Sequence, residues 1–273
     1  MFTLDTGCKN NDAALLASTI GAVTSAGNAL KQRFSTKAPL FRNRSEIISA
    51  VHANDAVALG FLREQLAQVR PQARWVDDEF ERGALPPGEW WVVDPVEGNI
   101  NHVHGMTEWC VTATLVQDNV SLLTVVYLPL TEETYTAVRG CGAWLNGSAL
   151  RASAKTDLDT ALVGTGQAEP NESRETFRRI AHSVEVMLNA GSVMRVSVPS
   201  TLQLIQVAAG RTDAFWQFSR ARAGLLAGAL LVAEAGGTLS DTHGKPWTPE
   251  SHDFLAAAPG LHSAAAALLS TIC

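Results

Sequence analysis

Apolar side chains recur at helical spacing near the start of the chain. Leu16, Ile20, Val23, Leu30 and Phe34 share one face of a long amphipathic helix that Asp12 can help to cap. A loop with Pro39 follows, and a second helix is predicted over residues 54–69. Residues 74–78 read as a short strand ending in acids, and residues 90–96 as a buried strand. Residues 110–116 and 120–127 alternate apolar and polar positions around Asp118-Asn119, which is a hairpin signal. Residues 133–138 add a third antiparallel strand, and Gly140, Gly142 and Asn146-Gly147 mark tight turns beside it.

From residue 161 the pattern changes. Strands at 161–164, 193–197, 213–218 and 254–257 are interleaved with helices at 174–188, 201–209 and 225–235. Such alternation favours a second sheet flanked by helices. The expected class is therefore α/β in the α+β sense. Residues 1–150 carry helices over an antiparallel sheet, residues 151–273 form an α/β half, and together they make one compact unit. No internal repeat is visible, although residues 264–267 form a short alanine run.

At 273 residues the chain can bury a substantial core. Its net charge of −6, with no basic cluster to offset it, argues against nucleic acid as a partner. Cys8, Cys110, Cys141 and Cys273 are scattered without a C-x-x-C pair, so four reduced thiols are expected. The N-terminus has no basic, cleavable leader, and residues 13–30 are uncharged but interrupted by Ser, Thr, Gly and Asn, too polar a run for a membrane span. A cytoplasmic location follows as the expectation.

The chemistry concentrates at Trp90-Trp-Val-Val-Asp94-Pro-Val-Glu97-Gly98-Asn99-Ile-Asn101. An apolar strand here ends in two acids, then a glycine and a helix start. Magnesium takes hard oxygen ligands, and Asp94, Glu97 and the Val96 carbonyl offer three at one strand end, with Asp78 closing an earlier strand. Gly98 lets the backbone approach an anion, and the free N–H groups at Asn99 suit a phosphate.

This segment resembles the D-P-x-D-G-[TS]-x-N signature of the inositol monophosphatase superfamily of Mg-dependent phosphomonoesterases. The resemblance runs through almost the whole chain. Asp55, Pro71 and Asp78 keep the family spacing; Asn101-His102-Val103-His104-Gly105 is similar to N-F-V-H-G. Tyr127-Leu-Pro129, residues 140–147, residues 208–216 and Glu234-Ala-Gly-Gly237 follow in the family's order. The resemblance implies a layered αβαβα sandwich, usually a homodimer, acting on a small phosphorylated substrate. It implies Asp78, Asp94, Val96 and Glu97 as metal ligands, Asp78, Asn99 and Asp55 as catalytic residues, and Gly98, Asn99, Gln217, Arg220 and His102 in substrate binding.

Departures from the family pattern cluster at the site. Where the family has W-D-x-A-A-G, this chain reads Ala223-Gly224-Leu-Leu-Ala-Gly228, so a metal-binding aspartate is replaced by Gly224. The signature's second aspartate is Glu97, its threonine is Asn99, the metal-binding glutamate is Asp78, and a substrate-contacting glutamate is Gln217. The G-S-A-A segment reads Val198-Pro199-Ser200-Thr201. Removing one carboxylate about 4 Å from a cation forfeits roughly 4 kcal/mol at an effective dielectric near 20. Fewer ions than usual, or none, are therefore expected. Arg220 or Arg222 would then pair with an anionic substrate in place of the missing cation.

Cys110 and the tryptophans read as buried packing residues, and His104 as structural. The leading expectation is a Mg-dependent phosphatase with altered metal stoichiometry and non-inositol specificity. The alternatives are a metal-independent biosynthetic enzyme on the same scaffold and a non-catalytic binder of a phosphorylated ligand.

Overall fold

The computed structural model describes residues 10–37, 39–76, 83–167, 169, 171–219 and 223–272. Two helices come first, α1 (Asn10–Arg33) and α2 (Arg44–Val69). Helix α2 starts ten residues before the predicted position, because Asn43 caps it and accepts from the Glu46 N–H at 3.1 Å. Its solvent face hid that start from a reading based on apolar periodicity.

Strands β1 (Arg74–Trp75) and β2 (Glu89–Glu97) follow, then the short helix α3 (Asn99–Val103). Next come β3 (Cys110–Gln117), β4 (Val120–Leu128), β5 (Glu133–Val138), β6 (Ala143–Leu145) and β7 (Ser148–Ala149). These strands form one sheet in chain order, antiparallel except for β1 beside β2. The β3–β4 turn places Asp118 and Asn119 at φ 49° and 66°, as the hairpin signal requires.

The second half supplies β8 (Leu162–Thr165), α4 (Arg174–Asn189), β9 (Val193–Val196), α5 (Ser200–Ala208) and β10 (Ala214–Gln217). It ends with α6 (Ala223–Glu234), β11 (Thr238–Ser240), β12 (Phe254–Ala257) and α7 (His262–Leu269). Its sheet has the order β11-β12-β10-β8-β9. Helix α7 occupies the alanine run, which carried no periodic signal of its own.

Five layers result. Leu16, Val23, Ala26 and Leu30 of α1 and Ala58, Leu62 and Leu66 of α2 pack on one face of the first sheet. Val126, Tyr135 and Ala137 on its other face join Leu204, Ile205, Leu230 and Leu231 of α5 and α6, and Phe215 and Phe254 of the second sheet. Met187, Trp216, Leu261 and Leu269 close the outer layer with α4 and α7. The middle cluster draws on both halves of the chain, so α5 and α6 are buried on two sides; α6 is apolar all round for that reason.

Two sequence expectations need correction. Residues 12–33 do reach the length and mean hydropathy (1.3) of a membrane span, contrary to the reading of that stretch as too polar. In the fold their apolar stripe packs on the first sheet. Cys141 is disulfide-bonded, so four reduced thiols do not hold, while Cys110 is free and buried. Sequence spacing alone does not show which thiols a fold brings together.

Candidate active site

Strand β2 carries its acids inward. Asp94 and Glu97 are 8% and 7% exposed. The β2–β3 register shifts between them, and this bulge takes Pro95 and Val96 out of the regular ladder. The Asp94 N–H donates to Thr112 Oγ1 at 3.2 Å, and the Val96 N–H donates to Asp94 Oδ1 at 3.0 Å. Gly98 then turns the chain into α3 with φ 85°. A Cβ there would lie 2.7 Å from the Glu108 carbonyl oxygen and 3.0 Å from Pro199 Cγ, so both backbone conformation and space demand glycine. Asn101 fastens the turn, its Nδ2 donating to the carbonyls of Glu108 (2.7 Å) and Val198 (3.2 Å).

Glu97 reaches toward the second half. Its Oε1 accepts the Thr201 N–H at the start of α5 at 3.3 Å. Gly224, at the start of α6, faces the same carboxylate, and Thr201 Oγ1 donates to its carbonyl at 3.0 Å. The carboxylate thus lies between two helix N-termini, whose partial positive charge favours it. Among the described residues it has no cationic partner. Gln217, 1% exposed, accepts from Ser200 Oγ, while its Nε2 has no partner among the described residues.

On the other side of α3, Asn99 Nδ2 donates to Asp55 Oδ1 at 2.7 Å and to the Val51 carbonyl at 3.0 Å. Burial pushes the Asp55 carboxyl above its ordinary range, against the smaller opposing effects of the Asn99 bond and of His52. Asn54, 4% exposed, donates through Nδ2 to Asn99 Oδ1 at 3.0 Å.

His102 does not face a substrate. Its ring is 5% exposed and edge-on to Phe34 and Trp109, at centroid distances of 5.4 and 4.7 Å. Nδ1 lies 3.0 Å from Asn54 Nδ2 and Nε2 lies 3.3 Å from the Leu30 carbonyl, so both nitrogens are committed to protein partners. Burial lowers its pKa. The expected substrate role is therefore corrected to packing and orientation. His104 bonds the Ile100 carbonyl through Nδ1 at 2.7 Å, a local structural contact. Cys110 is fully buried, and burial followed by the nearby Glu97 and Asp94 charges pushes its thiol well above the ordinary range. It is not a nucleophile.

Asp78, Arg220 and Arg222 lie outside the described residues. The fold brings together the remaining sequence-predicted set: Asp94, Val96, Glu97, Gly98, Asn99 and Asp55 around the two ends of β2 and α3, with Gln217 beside Ser200. Sequence reasoning missed Asn54 and Thr201. A signal for Asn54 existed, since it sits on the row of Ala58, Leu62 and Leu66, all buried on α2. A polar residue on an apolar stripe needs partners.

Two buried oxygen-donor acids flank a bulge, and Glu97 has no cationic partner among the described residues; hard oxygen donors of this kind suit a divalent ion. Among the described residues no group of three or more His, Cys, Asp or Glu forms a ligand cluster. The donors present are of the kind that fits such an ion.

A five-layer sandwich whose strand-end acids open into a glycine-led helix defines the class, that of a layered α/β phosphatase. The chain belongs to the inositol monophosphatase family, whose model matches residues 11–272. It is 33% identical over 232 residues to an inositol-1-monophosphatase of Rhizobium meliloti, covering 85% of this chain and 86% of that protein. It is 37% identical over 165 residues to Nus factor SuhB of Pseudomonas aeruginosa, covering 60% and 59% of the two chains. Among solved structures it resembles SuhB of Mycobacterium tuberculosis, with a TM-score of 0.77, 26% identity and coverage of 97% and 98%. It shares the fold of the inositol monophosphatase of Anabaena, with a TM-score of 0.75, 23% identity and coverage of 97% and 98%. Family and relatives indicate a phosphatase of the inositol monophosphatase type, a family generally dependent on Mg²⁺.

Proposed function

We propose that this chain hydrolyses a small phosphorylated metabolite other than an inositol phosphate, with Mg²⁺ held at fewer positions than the family pattern provides. The observation that carries the reading is the pairing of buried Asp94 and Glu97 with a glycine at position 224. Asp94, Glu97 and the Val96 carbonyl, with Asp78, would hold the ion. When bound, Mg²⁺ supplies positive charge to the phosphoryl oxygens as negative charge develops there. The backbone N–H groups at Gly98 and Asn99 receive the phosphate. Asn99, anchored on Asp55, presents its remaining Oδ1 lone pair to the attacking water. Gln217 would face the leaving group, and Arg220 would bind the substrate anion. A homodimer in the cytoplasm is the setting this reading expects.

Phosphate release from a panel of phosphorylated metabolites, with and without Mg²⁺, tests it. Metal-dependent release from a non-inositol substrate supports the proposal; release from inositol 1-phosphate alone contradicts the specificity. Gly224 also favours a second reading, metal-independent chemistry on the same scaffold, which turnover unaffected by a chelator would support.

A further inference from the structure

The hydrogen bonds behind Asn99 admit one consistent assignment. Arg33 Nε, which can only donate, lies 3.2 Å from Asn54 Oδ1, so that atom is the amide oxygen. Asn54 Nδ2 then has two hydrogens for two partners, Asn99 Oδ1 and His102 Nδ1, each at 3.0 Å. His102 Nδ1 must accept, and Nε2 must carry the ring proton toward the Leu30 carbonyl at 3.3 Å. With its oxygen held by Asn54, the Asn99 amide can present only N–H groups to Asp55 Oδ1 and the Val51 carbonyl.

The chain Arg33–Asn54–Asn99–Asp55 is therefore fixed from both ends, and the neutral His102 ring locks its middle. Asn54 and His102 are 4% and 5% exposed, so the bond between them at the middle of the chain is closed to water. Polar networks of this kind hold one geometry because each unmade bond leaves a buried group unsatisfied.

We propose that Asn54 is a positioning residue for the reaction: it fixes the amide of Asn99, and Arg33 and His102 fix Asn54. This rests on the reading of Asn99 as the residue that presents its oxygen to the attacking water. An asparagine side chain has two faces, and a flip would turn Nδ2 toward that water and leave Asp55 facing an oxygen. A hydroxyl at position 99 would have no such ambiguity. Asn54 thus secures the oxygen end of the Asn99 amide as Asp55 and Val51 secure its nitrogen end, a restraint that matters because residue 99 is an asparagine.

The test is a double-mutant cycle together with spectroscopy of the full-length protein. Kinetics use p-nitrophenyl phosphate with Mg²⁺. Asn54→Ala is expected to lower kcat about tenfold with KM within about twofold, the scale of one lost charge-neutral bond. In an Asn99→Thr background the same substitution should change kcat less than about twofold. An equal loss in both backgrounds marks a merely structural role and overturns the proposal.

The second arm needs no turnover. Nitrogen-15 spectra should show the His102 Nε2–H tautomer in the parent protein. The Asn99 side-chain amide resonances should move in Asn54→Ala. Unmoved Asn99 resonances overturn the relay. If the parent protein releases no phosphate, the hydrolase reading fails while these spectra still decide the relay. Asn54→Asp keeps the shape and the Arg33 bond but cannot donate to Asn99, and it carries both arms if the alanine variant does not fold.

Discussion

Gly224 stands opposite Glu97, and a Cβ built on it would lie 3.3 Å from Oε1 and 3.6 Å from Oε2 of that carboxylate. Glu97 and the absence of a side chain at Gly224 are two halves of one arrangement. Glu97 extends across β2's end to the start of α5, into space that an aspartate at position 224 would need.

Placing an aspartate at 224 therefore has opposite effects in two backgrounds. Gly224→Asp alone sets two buried carboxylates about 4 Å apart, a repulsion of roughly 4 kcal/mol at an effective dielectric near 20. It should lower the Tm in the absence of Mg²⁺. Combined with Glu97→Asp, which shortens the facing side chain, it should add a second Mg²⁺-binding event. Thermal melts and calorimetric titration of the single and double variants check both effects.

Gly98 is the backbone hinge of the site. Gly98→Ala would hold a non-glycine residue at φ 85° with its Cβ against the Glu108 carbonyl. The left-handed conformation costs about 1–2 kcal/mol and the crowding about 1–3 kcal/mol more. Urea denaturation should show a loss of about 2–5 kcal/mol, and Mg²⁺ affinity should fall with it because Glu97 precedes the displaced turn.

Asp55 gives a pH signature. Its folded carboxyl has a raised pKa, chiefly from burial, relative to an ordinary value of 3.8. The folded state therefore holds that proton more tightly than the unfolded chain does. The contribution to stability is complete below pH 3.8 and is lost as pH rises through the folded value. Asp55→Asn removes the desolvated charge and should raise the Tm at pH 7, with the gain shrinking toward pH 4. The same variant should lose at least about tenfold in kcat, because Asn99 loses its charged anchor.

Cys110 provides a control on burial. At 0% exposure, with its thiol held well above the ordinary range, it should resist iodoacetamide at pH 8 in the folded protein. Peptide mass analysis should find Cys110 labelled only after denaturation.

Much of this architecture was legible in the chain. The β3–β4 hairpin announced itself through alternation around Asp118-Asn119, and β5 and β12 matched their predicted bounds because apolar runs ended at clear turn residues. Strand β11 and helix α7 were not legible, since a three-residue strand and an alanine run carry no period. At the site, Asp94, Glu97 and Gly98 stood out because they adjoin in sequence. Asn54 and Thr201 come from distant segments; the buried row of α2 marks Asn54 as a polar residue needing partners, but no spacing rule names those partners or points to Thr201. His102 misled for a related reason: a histidine beside a signature motif suggests chemistry, yet its ring is committed to Leu30, Asn54 and Trp109.

In the proposed function the acids at the end of β2 hold a divalent ion with glycine at 224. Titration of Mg²⁺ into the full-length protein by calorimetry tests it most directly, with Glu97→Gln as the comparison. Saturable binding of about one ion per chain is expected, weakened at least about tenfold in Glu97→Gln. Binding heats absent from the parent protein, or undiminished in Glu97→Gln, would contradict it.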